Sequence, residues 1–167
     1  MQKKKKGLKI RLNQTTNDPL QNRMPPLIQI SNNYQNLQVR KPAIRKLVQK
    51  VIQEESLFER EIHIIFVDDK YLSTLHKEYL DDPTPTDVMS FDLSDDDLIE
   101  GEIYISVDSA KRHASEFGVS LNSEIARLII HGLLHLKGLD DSTASERKKM
   151  RAREDLYLTK YSETILL

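Results

Sequence analysis

Apolar residues recur along this chain at two different periods, and the switches between them mark out its elements. Leu27-Ile-Gln-Ile30 alternates and reads as a short strand. After Pro42, which suits a first helical turn, Ile44, Leu47, Val48, Val51 and Ile52 fall three and four apart, as on a helix with one buried face. Glu61-Ile-His-Ile-Ile-Phe-Val67 is a strongly apolar strand in which His63 takes an alternating polar position on a half-exposed face. Asp68 and Asp69 then open a helix through Tyr79, since acids suit the positive N-terminal end. His76 on that helix has no neighbour at ligand spacing and reads as a surface residue.

Two prolines break residues 81 to 86 into a loop. Asp87 to Leu93 and Leu98 to Val107 then form a hairpin. Its acidic turn, Asp95 to Asp97, reads as solvated carboxylates rather than a magnesium site. Ser106 to Phe117 is helical and stops at Gly118. Asn122 or Ser123 is expected to cap the next helix, where Ile125, Leu128, Ile129, Leu133, Leu134 and Leu136 lie nearly all round, as in a buried helix. Thr143-Ala-Ser-Glu146 matches a capping box and opens a last, charged helix to about Lys160. The predicted fold is α/β (α+β): a small mixed sheet of about four strands packed with about five helices.

Composition narrows this picture. The 167 residues are one domain's worth, with no internal repeat. Residues 1 to 26 are rich in Lys, Asn, Gln and Thr and too polar to offset the entropy of ordering, so a disordered tail is expected before a single domain over 27–167. Lys3 to Lys6, Lys9 and Arg11 could also serve there as a flexible arm for RNA phosphates. The 25 basic and 26 acidic residues leave a net charge of −1, so any contact with nucleic acid must be local. The lack of cysteine excludes thiolate ligands and a disulfide framework, which suits a reducing cytoplasm. The basic start has no signal-peptide core and no run reaches membrane-spanning length, so a cytoplasmic protein with no membrane partner is expected.

One stretch carries chemistry. Glu124, Arg127, His131 and His135 succeed one another at spacings of three, four and four, forming the polar strip of the otherwise apolar helix. Two histidines four apart can bring both imidazoles to one metal ion. Gly138 suits a left-handed turn that brings the chain back, and Asp140 and Asp141 follow, either able to supply a carboxylate ligand and leave a position for water. An acid before a helix is also favoured by the dipole, so Asp141 has a second rationale. In metallopeptidases the residue after the first His is a Glu that acts as base; here it is Gly132.

The run His131-Gly-Leu-Leu-His135-Leu-Lys-Gly138-Leu-Asp140-Asp141 resembles the signature of the bacterial YbeY family, H-G-x-L-H-L-x-G-x-D-H, with Asp141 in place of the final His. Pro85-Thr-Asp-Val-Met-Ser-Phe91 and Gly101-Glu-Ile-Tyr-Ile-Ser106 resemble the family's P-T-[DN]-V-L-S-F and G-[DE]-I-x-I-S blocks, in the same order and spacing over roughly residues 27 to 160. Leu80 stands where the family usually has an Arg after an aromatic residue, so the phosphate-binding cation implied there is missing.

The resemblance implies a zincin-like fold and a catalytic domain holding one divalent ion, zinc before others, on His131, His135 and Asp141. The carboxylate at 141 lowers the site's charge by one and is expected to change its metal preference. Thr86, Asp87 and Ser90 become candidates for orienting substrate. The implied activity is a metal-dependent, single-strand-specific endoribonuclease in rRNA maturation, notably late 16S rRNA 3′-end processing, and in ribosome quality control. The implied partners are ribosomal RNA, the small ribosomal subunit or its proteins, and an assembly GTPase. A non-catalytic assembly factor with a structural ion is the alternative, and a metallopeptidase-like hydrolase a weaker third.

Overall fold

A computed structural model describes residues 27–57, 59–81, 84–94 and 99–161. The expectations for the tail over 1–26 and for Asp95 to Asp97 lie outside the described residues. The elements run β1 (Leu27–Asn32), α1 (Lys41–Glu55), β2 (Glu59–Val67), α2 (Asp69–Leu80), β3 (Val88–Asp92), β4 (Ile99–Ser106), α3 (Val107–Phe117), α4 (Leu121–Leu136) and α5 (Ala144–Lys160). This is the order that the two hydrophobic periods predict.

The four strands form one mixed sheet in the order β1-β2-β4-β3. β1, β2 and β4 are parallel, and β3 closes one edge antiparallel to β4. Central β2 is apolar on both faces because both are covered. Ile62, Ile64 and Phe66 join the main core with α1 and α4, while Ile65 and Val67 pack with Leu72 of α2 and Met89. His63 lies on the α2 side, its ring 2.9 Å from the Ser31 hydroxyl, in the half-exposed position that alternation assigns it.

The fold positions α4 by close approach to the sheet. Pairing places Ile30, Ile64, Ile103 and Ser90 in one row across the four strands, all on the main-core side. Gly132 lies on this row: a Cβ there would stand 2.6 Å from Ile103 Cγ2 and 3.0 Å from Ser90 Oγ. One turn later Leu136 presses on Gly101, where a Cβ would meet its methyl carbons at 2.7 and 2.9 Å. The glycines of two separate motif blocks therefore let α4 lie against β3 and β4.

The caps refine the sequence reading. Ser120, rather than Asn122 or Ser123, caps α4, its hydroxyl accepting from the Ser123 amide at 3.1 Å. The earlier start lets Leu121 pack on the core as part of the helix. At the other end Gly138 takes a φ of 90°, and the Leu139 amide bonds back to Leu134 O at 3.0 Å, the paired geometry that ends a helix and reverses the chain. The capping box of Thr143 and Glu146 opens α5 as predicted.

Candidate metal centre

Helical spacing and the Gly138 turn together bring three ligand-bearing side chains to one point. The Nε2 atoms of His131 and His135 are 2.9 Å apart. The Asp141 carboxylate faces both, with Oδ2 3.7 Å from His131 Nε2 and Oδ1 3.7 Å from His135 Nε2. Ligands of a tetrahedral zinc ion stand about 3.4 Å apart when the bonds are about 2.0–2.1 Å, so the three donors are spaced for a small ion.

Hydrogen bonding on the far side of each ring supports this fit. His131 Nδ1 lies 2.6 Å from Glu154 Oε1 of α5, and His135 Nδ1 lies 2.9 Å from Leu139 O. Both partners are acceptors, so each Nδ1 carries the proton and each Nε2 presents a lone pair inward. Two lone pairs and a carboxylate then face one another with no donor between them. That arrangement favours a cation.

The two neighbouring acids divide the work. Asp140 turns into its own loop, accepting from the amides of Asp141 at 2.7 Å and Ser142 at 3.1 Å. These bonds, with the Ser142 hydroxyl, hold its carboxyl below the ordinary range. Arg147 donates to the carbonyls of Asp141 at 3.1 Å and Ser142 at 2.6 Å, securing the loop that carries Asp141. Asp141 is thereby left aimed at the histidines.

The rest of the polar strip forms a partly buried ionic network. Arg127 donates to Glu124 through Nε at 3.0 Å and Nη2 at 2.6 Å, with Asp87 and Glu154 each 3.5 Å away. Burial opposes its charge, but Glu124, Glu154 and Asp87 outweigh burial and hold it firmly protonated. Asp87, His113 and Glu124 form a second group with ligand atoms within 4.8 Å of one another. His113 Nδ1 is buried there without a hydrogen bond, 3.5 Å from Asp87 and 3.4 Å from Glu124. The Arg127 guanidinium already supplies positive charge to both carboxylates, which makes this group a poorer cation site than the first.

A cleft of about 570 Å³ joins the two groups, lined by Asp87, His113, Glu124, Arg127, His131 and Asp141 with further residues of α3 and α5. Of the three candidate substrate residues only Asp87 lines it. Thr86 bonds its hydroxyl to Val88 O at 3.2 Å, and Ser90 bonds to Gly132 O at 3.3 Å beneath α4. Glu154 and His113 are the functional candidates that sequence spacing does not reveal. Glu154 does leave a trace, an acid between Met150 and Tyr157 on the buried stripe of α5.

Comparison with known proteins identifies the family. The pattern of the family described as Endoribonuclease YbeY matches residues 29–162. The chain is 43% identical over 108 residues to Endoribonuclease YbeY of Flavobacterium psychrophilum, covering 65% of this chain and 77% of that one. It is 37% identical over 115 residues to that of Chloroherpeton thalassium, covering 69% and 82%. The chain belongs to the YbeY family. Its fold is also that of a Thermotoga maritima protein solved in solution, with a TM-score of 0.56 and 24% identity over 83% of this chain and 89% of the other. Within the YbeY signature, the position that departs from the motif is Asp141, and its carboxylate faces the histidine pair. Leu80 is exposed at the end of α2. No described helix is long and apolar enough to cross a membrane.

Proposed function

We propose that this chain is a metal-dependent endoribonuclease that cuts single-stranded ribosomal RNA, with one divalent ion, zinc before others, held by His131, His135 and Asp141. The observation that carries this reading is the convergence of two Nε2 lone pairs and a carboxylate, with both Nδ1 protons engaged elsewhere. An ion bound there would supply an acidified water and a polarised phosphoryl oxygen. Gly132 faces the sheet and Glu154 is committed to His131, so Asp141 or a substrate phosphate oxygen accepts the proton. The setting proposed is late 16S rRNA 3′-end maturation and quality control in the cytoplasm, on the small subunit or with its proteins and an assembly GTPase.

A non-catalytic assembly factor with a structural ion is the second reading, favoured by Leu80 where the family has a cation. A peptidase reading is disfavoured by packing: a side chain at 132 would run into Ile103, not toward the ligands.

Elemental analysis of the purified protein, paired with cleavage of a single-stranded rRNA fragment with and without chelator, tests the proposal. About one ion per chain is expected, with cleavage abolished by chelator and by His131→Ala. One ion without cleavage supports the assembly factor, and full metal retention in His135→Ala would overturn the ligand assignment.

A further inference from the structure

Three arginines line the cleft, and two are already engaged. Arg127 is enclosed by Glu124, Asp87 and Glu154, and Arg147 is bonded to the loop carbonyls beside the metal centre. Arg151 is exposed, and its side chain has no ion pair or hydrogen bond among the described residues. It follows Arg147 by one helical turn and precedes Glu154 by three residues, on the same wall of the cleft. Helical neighbours at these spacings have Cβ atoms about 5–6 Å apart. Arg151 is therefore flanked by the residue that holds the Asp141 loop and the residue that holds His131. Arg is also the side chain best matched to a phosphate, through its planar fork of donors.

The far end of the cleft is apolar. Phe117 ends α3 with 64% of its surface exposed, and Val119 follows at 44%. The Phe117 ring centroid lies 6.0 Å from that of His113, which is itself within 3.5 Å of the Arg127 network. An exposed aromatic at one end of a cleft and an unpaired arginine at the other match the two parts of an unpaired nucleotide strand, its bases and its phosphates.

We propose that Arg151 and Phe117 hold the RNA strand, Arg151 binding a phosphate beside His131, His135 and Asp141, and Phe117 stacking a base at the opposite end of the cleft. This assignment rests on the endoribonuclease reading and deepens it. It supplies from α5 the phosphate-binding cation that Leu80 does not provide. It also explains how a cleft lined by five carboxylates accepts a polyanion: among the described residues the lining arginine Arg151 has no ion pair to any of them.

Equilibrium binding of a fluorescently labelled single-stranded RNA to the full chain, followed by anisotropy over a salt series, tests the assignment apart from catalysis. Arg151→Ala is expected to weaken binding about tenfold and to reduce the slope of log affinity against log salt by about 0.7, the loss of one phosphate contact. Arg151→Lys should keep the slope. Phe117→Ala should weaken binding about tenfold at unchanged slope, and Phe117→Trp should restore it. Both positions are exposed, so unchanged melting and metal content will show that neither substitution disturbs the fold. If wild-type protein fails to bind the RNA, the endoribonuclease reading falls and this assignment with it. If wild type binds and either Ala variant matches it in affinity and slope, that residue's role falls while the endoribonuclease reading stands.

Discussion

Glu154 reaches His131 across 23 residues of chain, and its carboxylate decides which ring nitrogen carries the proton. With Glu154→Ala, the His131 ring loses both its tautomer preference and its fixed orientation, while all three inward-facing ligands remain. Loss of such a partner typically lowers metal affinity by about 10–100-fold, and that is the expectation here. Competition titration of zinc against a chromophoric chelator measures it. Affinity equal to wild type in the Ala variant would remove Glu154 from the site. At this scale the histidines are legible in the sequence because both lie on one helix, where spacing of four fixes their relation. Glu154 lies on another helix, and helical periodicity cannot say which faces of two helices meet. What it can show is an acid on an apolar helix face, as at Glu154 of α5, Glu55 of α1 and Glu124 of α4.

Glu55 acts between elements. It ends α1, is 3% exposed, and receives Arg153 at 2.5 and 3.0 Å, together with the Tyr157 hydroxyl of α5 and the ammonium of Lys137, which caps α4. Burial alone would raise its pKa, but Arg153, Lys137 and Tyr157 outweigh burial and lower it from 4.5 to about 2. Because the folded value is depressed, the stabilisation is complete above about 4.5 and is lost as pH falls toward 2. A shift of this size corresponds to about 3 kcal/mol. Glu55→Gln is therefore expected to unfold at lower urea than wild type at pH 7, with the difference shrinking as pH falls below 4.5. A gap that stays constant over this range would show that the charge of Glu55 does not hold the helices together. The contact has a functional side, since Arg153 immediately precedes Glu154 and the same pin sets the height of α5 against His131.

Across the whole molecule, the order of elements follows from the chain because the periods of two and 3.6 differ plainly. The sheet order does not, since β2 pairs with β4 rather than with β3, a choice made by long-range contacts. The motif glycines become intelligible only once those strands are placed, when Gly132 and Gly101 prove to be where helix and sheet touch. The centre they position joins α4 to the loop before α5, so an ion there cross-links segments that must both be folded for its three ligands to meet. Binding should then stabilise the native state, by about 2.7 kcal/mol at 100 times the dissociation constant. For a domain of this size, at about 2–4 °C per kcal/mol, that raises the melting temperature by roughly 5–11 °C. Thermal unfolding with added zinc should show this rise in wild type, its reversal by chelator and its absence in His135→Ala. An equal rise in the variant would mean that zinc binds elsewhere, because a pair of ligands that includes only one histidine of α4 no longer encloses the ion.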